Sequence, residues 1–262
     1  MEIETLRPWE QDGIPAGVQR LDYRSQADRA LDWALIWPPA QGDRWIVVIH
    51  GHGSQGDQLY TREDVRDLWL PVFRRLGYGL LTPHLRGNAW MGPRAASDLQ
   101  DLHQYMRLEF RARRFIFASG SMGGTSNLVY AVLHPDDVAA VIALCPATDL
   151  ALYRRWCRER NEGVIREIAD AIEAAYAGTP DQVPRNYQAH SAVQNATRLI
   201  MPVYVVHGTR DAVIPVSQSR RLAAAVGDKS DFAGVEVPDG HHDSPLVCMP
   251  TALAWVEQQI LL

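Results

Sequence analysis

The chain has 262 residues, 47% hydrophobic and 22% charged, enough for one well-buried α/β core without a second domain. Its net charge of −5 gives no electrostatic case for nucleic acid or an anionic membrane as partner, and no run reaches the roughly 18 apolar residues of a membrane span. The N-terminus has no basic start followed by an apolar run, and Cys145, Cys157 and Cys248 are odd in number without CxxC spacing, so a cytoplasmic protein with reduced thiols is expected.

Residues 18–24 and 31–37 alternate with period two and predict a leading antiparallel pair with Trp33 and Trp37 on one face. Strand 45–49, helix 61–76, strand 78–82, helix 95–111, strand 114–119, helix 124–133 and strand 138–144 follow. Residues 150–198 carry no clear strand and read as helices broken at Gly178, Pro180 and Pro184, an insertion placed to act as a lid. The alternation resumes with strand 202–206, helix 217–226, strand 234–237 and helix 249–261. The expected fold class is α/β, a mostly parallel eight-stranded sheet with helices on both faces and a small helical lid.

The segment RFIFASGSMGGTSNLVY sets Ser121 at the seam between an apolar β-type run and a helix-forming run. A serine on such a sharp turn has strained dihedrals, so small neighbours are needed, and Gly120 and Gly123 are read as removing the collisions. The helix that begins after Ser121 points free N–H groups at the reacting centre, with the Met122 N–H as one oxyanion donor. The common pattern has glycine where this chain has Ser119, which is small enough for the turn. Partners come in the order serine, acid, histidine. Asp211 lies in the turn after IMPVYVVHG, and His241 and His242 lie in the polar loop after GVEVPDG.

These segments, with the HGHGS turn after RWIVVI, resemble the α/β-hydrolases, and most of all single-domain relatives of the prolyl-oligopeptidase and dienelactone-hydrolase groups. The resemblance runs over nearly the whole chain, without the large propeller that oligopeptidases carry. It implies a serine hydrolase that needs no cofactor and cleaves a carboxylic ester, with a small peptide or amide as the alternative substrate. In the family the catalytic histidine follows a glycine, which selects His241 after Gly240, with His242 as the alternative. Asp211 is selected as the acid over Asp149, which is read as the cap of the helix that follows. The resemblance also makes the His52 N–H, or Gly53 beside it, the second oxyanion donor.

Two competing chemistries find less support in the residues. His50 and His52 alternate like the start of a di-metal HxHxDH motif, but Ser54 and Gln55 stand where Asp and His would be required, so no metal is expected. A silent binding protein of the same fold would lack a triad member, whereas this chain has all three. For substrate contact the candidates are Gly53, Trp90, Met91 and Trp156. Tyr153, Ile165, Ile168, Ile172 and Tyr176 are read as pocket lining or as the lid's own packing face. Arg86 is read as a substrate contact or a brace for its loop.

Overall fold

A computed structural model describes residues 1–11 and 13–261. Three strands, β1 (Glu2–Pro8), β2 (Gln19–Arg24) and β3 (Leu31–Trp37), form an antiparallel meander. Then come β4 (Arg44–Val47), α1 (Gln58–Thr61), α2 (Glu63–Arg75), β5 (Gly79–Pro83), α3 (Pro93–Glu109), β6 (Arg114–Gly120), α4 (Met122–Leu133) and β7 (Ala140–Leu144). The segment 150–198 holds α5 (Leu150–Arg160), α6 (Gly163–Tyr176) and α7 (Pro184–Ala189). The chain closes with β8 (Val203–Gly208), α8 (Ser217–Val226), β9 (Phe232–Val237) and α9 (Met249–Leu261).

Among the described residues nine strands make one sheet in the order β1-β2-β3-β5-β4-β6-β7-β8-β9, parallel from β5 to β9. The near-continuous apolar runs of the central strands follow from burial on both faces. Trp45, Val47, Phe115, Phe117, Val141, Ala143, Val203 and Val205 enter one core with α3, α4, α5 and α6. The residues between them, among them Ile46, Ile116, Ile142 and Tyr204, enter a second core with α2 and α9. Period two in the strand therefore divides one sequence run between two cores.

The count of eight strands is corrected to nine, the addition being β1. All seven of its residues are exposed, and its pairing with β2 shifts register between Ile3 and Thr5. That extra residue puts Ile3 and Leu6 three apart instead of two, so the strand has no alternating signal and is held by its main-chain ladder.

Candidate active site

The carboxyl ends of the parallel strands lie along one edge of the sheet, and β6 delivers Ser121 there. Its backbone is left-handed, φ 56° and ψ −128°, a conformation that side chains disfavour and that the surroundings must impose. They do so on both sides: the Ser121 N–H donates to Leu144 O of β7 at 2.8 Å, and Thr125 N–H donates to Ser121 O at 2.9 Å. A Cβ on Gly123 would meet Ile49 O at 2.0 Å, so glycine is obligatory there. Gly120 is different, because a Cβ would find ordinary contacts at 3.6 Å and beyond; the tighter second position is Gly124, 3.1 Å from two carbonyl oxygens.

Asp211 stands in the loop after β8 with its side chain fully buried. Its Oδ1 accepts the Val213 and Ile214 N–H groups at 2.8 and 2.9 Å. Its Oδ2 lies 2.7 Å from His242 Nδ1 and 3.3 Å from His207 Nε2. Burial works to raise this carboxyl, but the hydrogen bonds from His207 and His242 outweigh it and hold it below the ordinary carboxylate range. His207 is itself fixed by Ser219 Oγ at 2.6 Å and by Ile214 O at 2.8 Å.

The histidine that meets Ser121 is His242. Its Nε2 lies 2.9 Å from Ser121 Oγ. A carboxylate only accepts, so Nδ1 carries the proton toward Asp211 and Nε2 is the lone pair that receives the serine O–H. The expectation for His241 is corrected by one residue. Its side chain is exposed, and its N–H donates to Ser244 Oγ at 2.8 Å. The cause is the seating of the loop on β8: Gly240 O accepts Arg210 N–H at 2.8 Å, and a Cβ on Gly208 would lie 2.4 Å from that oxygen. With the backbone pressed there and Asp239 left-handed at φ 54°, the next inward side chain is residue 242. Cys145 adds a tie, its thiol donating to His242 O at 2.8 Å. Asp149 lies outside the set and caps α5, accepting Leu152 N–H at 3.1 Å.

In the turn after β4, Gly51 N–H donates to Gln58 Oε1 at 2.8 Å and Gly53 N–H to Asn88 Oδ1 at 2.7 Å. The His52 N–H between them has no protein acceptor among the described residues. The Met122 N–H, first in α4, has no intrahelical acceptor. Gln58 and Asn88 carry no local sequence signal for this work, since each serves a backbone group 7 or 35 residues away. His50 lies beneath the turn, its ring nitrogens 2.8 Å from Gly51 O and 2.9 Å from His84 O. The HGHG histidines therefore do not converge as a metal pair.

Ser121 and His242 line a small cleft of about 30 Å³ with Gly51, Gln58, Arg62, Trp69, Cys145 and Asp243. The substrate-contact candidates fall elsewhere. Trp90 is fully buried, Trp156 stacks on Tyr153 at 5.9 Å, and the Gly53 N–H is occupied. Tyr153, Ile165, Ile168, Ile172 and Tyr176 form the packing face of α5 and α6. Arg86 braces its loop through Asp28 and Asp98.

The sequence pattern of the prolyl oligopeptidase family matches residues 66–244, which contain Ser121, Asp211 and His242. The chain is 23% identical over 233 residues to human monoacylglycerol lipase ABHD6, covering 83% of this chain and 62% of that protein. It is 26% identical over 245 residues to esterase LipC of Mycobacterium tuberculosis, covering 87% of this chain and 58% of that one. The chain thus spans about three fifths of the length of these relatives. The solved structure of a puromycin-hydrolyzing peptidase of Mycobacterium tuberculosis superposes with a TM-score of 0.66 at 20% identity, over 97% of this chain and 39% of that one, a likeness of fold.

Proposed function

The chain belongs to the prolyl oligopeptidase family, and we propose that it is a serine hydrolase that cleaves a carboxylic ester through an acyl-enzyme on Ser121. The observation that carries this reading is the hydrogen-bonded run Ser121–His242–Asp211 on a left-handed elbow. His242 Nε2 takes the hydroxyl proton as Ser121 Oγ attacks the acyl carbonyl, and Asp211 orients the ring and stabilises the imidazolium. The Met122 and His52 N–H groups hold the tetrahedral oxyanion, each worth about 100- to 1,000-fold in rate at comparable sites. His242 then returns its proton to the leaving alcohol and activates the water that releases the acid.

Ester chemistry is favoured by the relatives named as a monoacylglycerol lipase and an esterase. The second reading, cleavage of a small peptide or amide, is supported by the family and by the puromycin-hydrolyzing peptidase fold neighbour. In both readings residues 150–198 act as a lid over the site and no cofactor takes part. No helix of the described residues is long and apolar enough to cross a membrane. The unpaired thiols of Cys145, Cys157 and Cys248 support a cytoplasmic location.

The test is intact mass after treatment with a fluorophosphonate. One adduct on the wild type and none on Ser121→Ala is the expected result, followed by turnover of esters in preference to peptides in a mixed panel. A folded wild type that stays unlabelled would overturn the reading.

A further inference from the structure

Two consecutive residues between β5 and α3, Trp90 at φ 44° and Met91 at φ 51°, hold a left-handed backbone without being glycine. Such a pair persists only where its surroundings over-determine it. Here the surroundings are the helical segment 150–198. Tyr176 Oη, at the end of α6, lies 3.4 Å from Trp90 O, and His190 Nδ1, after α7, lies 2.9 Å from Met91 O and 3.1 Å from Tyr176 Oη.

The donors in this cluster can be assigned. Met91 O only accepts, so His190 Nδ1 carries the proton and donates both to that carbonyl and to Tyr176 Oη. The tyrosine O–H is then left to donate to Trp90 O. On the far side of Trp90 the indole Nε1–H donates to His52 Nδ1 at 3.2 Å. Indole nitrogen is a donor only, so neutral His52 carries its proton on Nε2. Trp90 is fully buried, and water does not compete for its N–H. Its ring lies 6.0 Å from His52 and 5.6 Å from Tyr153 of α5.

His52 is the residue whose N–H is left without an acceptor among the described residues, between the bonded Gly51 and Gly53. We propose that Trp90 is a positioning residue for the oxyanion turn: it holds the His52 ring, and through it the direction of the His52 N–H, while Tyr176 and His190 hold Trp90. The helical segment thereby sets the geometry of oxyanion stabilisation through a directed hydrogen-bond chain. This rests on the hydrolase reading of Ser121.

The test compares kcat and KM for a p-nitrophenyl ester in the wild type, Trp90→Phe, His52→Ala and the double variant, together with the rate of fluorophosphonate labelling. His52→Ala keeps the backbone N–H and removes only the ring. Trp90→Phe removes the indole donor, and kcat should fall about 3- to 10-fold, the worth of one hydrogen bond, with KM little changed. In the His52→Ala background the same change should cost nothing further. An undiminished kcat, or an equal loss in both backgrounds, overturns the proposal. If Trp90→Phe does not fold, Tyr176→Phe replaces it: a kcat loss in the wild type that vanishes with His52→Ala supports the chain, and an equal loss in both overturns it. A wild type that neither labels nor turns over ester overturns the hydrolase reading and this inference together, whereas a labelled wild type with additive losses overturns this inference alone.

Discussion

The hydroxyl of Ser119 accepts the main-chain N–H of Ile49 at 2.8 Å, tying the strand that carries the nucleophile to the strand that leads into the His50–Gly53 turn. The same hydroxyl lies 3.3 Å from Asn127 Oδ1 of α4, and Ser119 is fully buried. The serine that stands in place of a glycine is therefore a connector. Ser119→Gly would restore the common pattern yet leave the Ile49 N–H without its acceptor. Stability should fall by about 1–3 kcal/mol, the cost of an orphaned buried donor. Urea unfolding midpoints measure it, and an unchanged midpoint would sink the argument.

His242 and His241 can be separated by alanine substitution. His242→Ala should lower kcat by about 10⁴-fold or more, as loss of a triad base does in known hydrolases. His241→Ala removes an exposed ring while keeping the N–H that Ser244 accepts, and activity should remain close to wild type. Steady-state ester hydrolysis decides. A large loss on His241→Ala alone would reverse the assignment.

The glycines of the elbow should respond unequally. A methyl at Gly123 would sit 2.0 Å from Ile49 O, a main-chain atom that cannot yield without moving β4, so Gly123→Ala should abolish serine labelling and fold poorly. Gly120→Ala meets contacts of 3.6 Å and beyond and should keep both fold and labelling. Equal behaviour of the two variants would contradict the packing described.

Acid stability follows from histidines that folding takes partly or wholly out of water. Burial is the first cause that lowers His84, to about 4 from 6.5, and it lowers His103 in the same direction. Between those values the unfolded chain binds protons that the folded chain refuses, so stability falls as pH drops from 6.5 toward 4. Asp32 opposes this, since burial raises it from 3.8 to about 6 and the folded chain takes its proton first. Burial lowers His50, His52, His134 and His190 as well, so six histidines stand against one carboxyl and leave a net loss. His84→Leu should flatten the dependence and Asp32→Asn steepen it, read from thermal midpoints between pH 7 and pH 4.5. A His84→Leu slope equal to wild type would show that His84 is not the source.

Much of this protein was legible in its sequence because the signals are local. The alternation of apolar runs with helical segments specified the parallel half of the sheet, and SGSMGG placed Ser121 at a strand-to-helix seam whose geometry depends on the residues beside it. The position of Asp211, in the loop after β8, was equally readable. What the tertiary structure decided depends on segments far apart in the chain. His241 and His242 are adjacent, and the choice between them is made where Gly240 O presses against Gly208 of β8. β1 gave no periodic signal because a register shift breaks its alternation and β2 supplies its ladder. Gln58 and Asn88 occupy the N–H groups on either side of His52, and Trp90 supports its ring, each from a distant segment. Local sequence determines which backbone turns can form; which side chain faces the nucleophile is set by how separate turns are pressed together in the folded core.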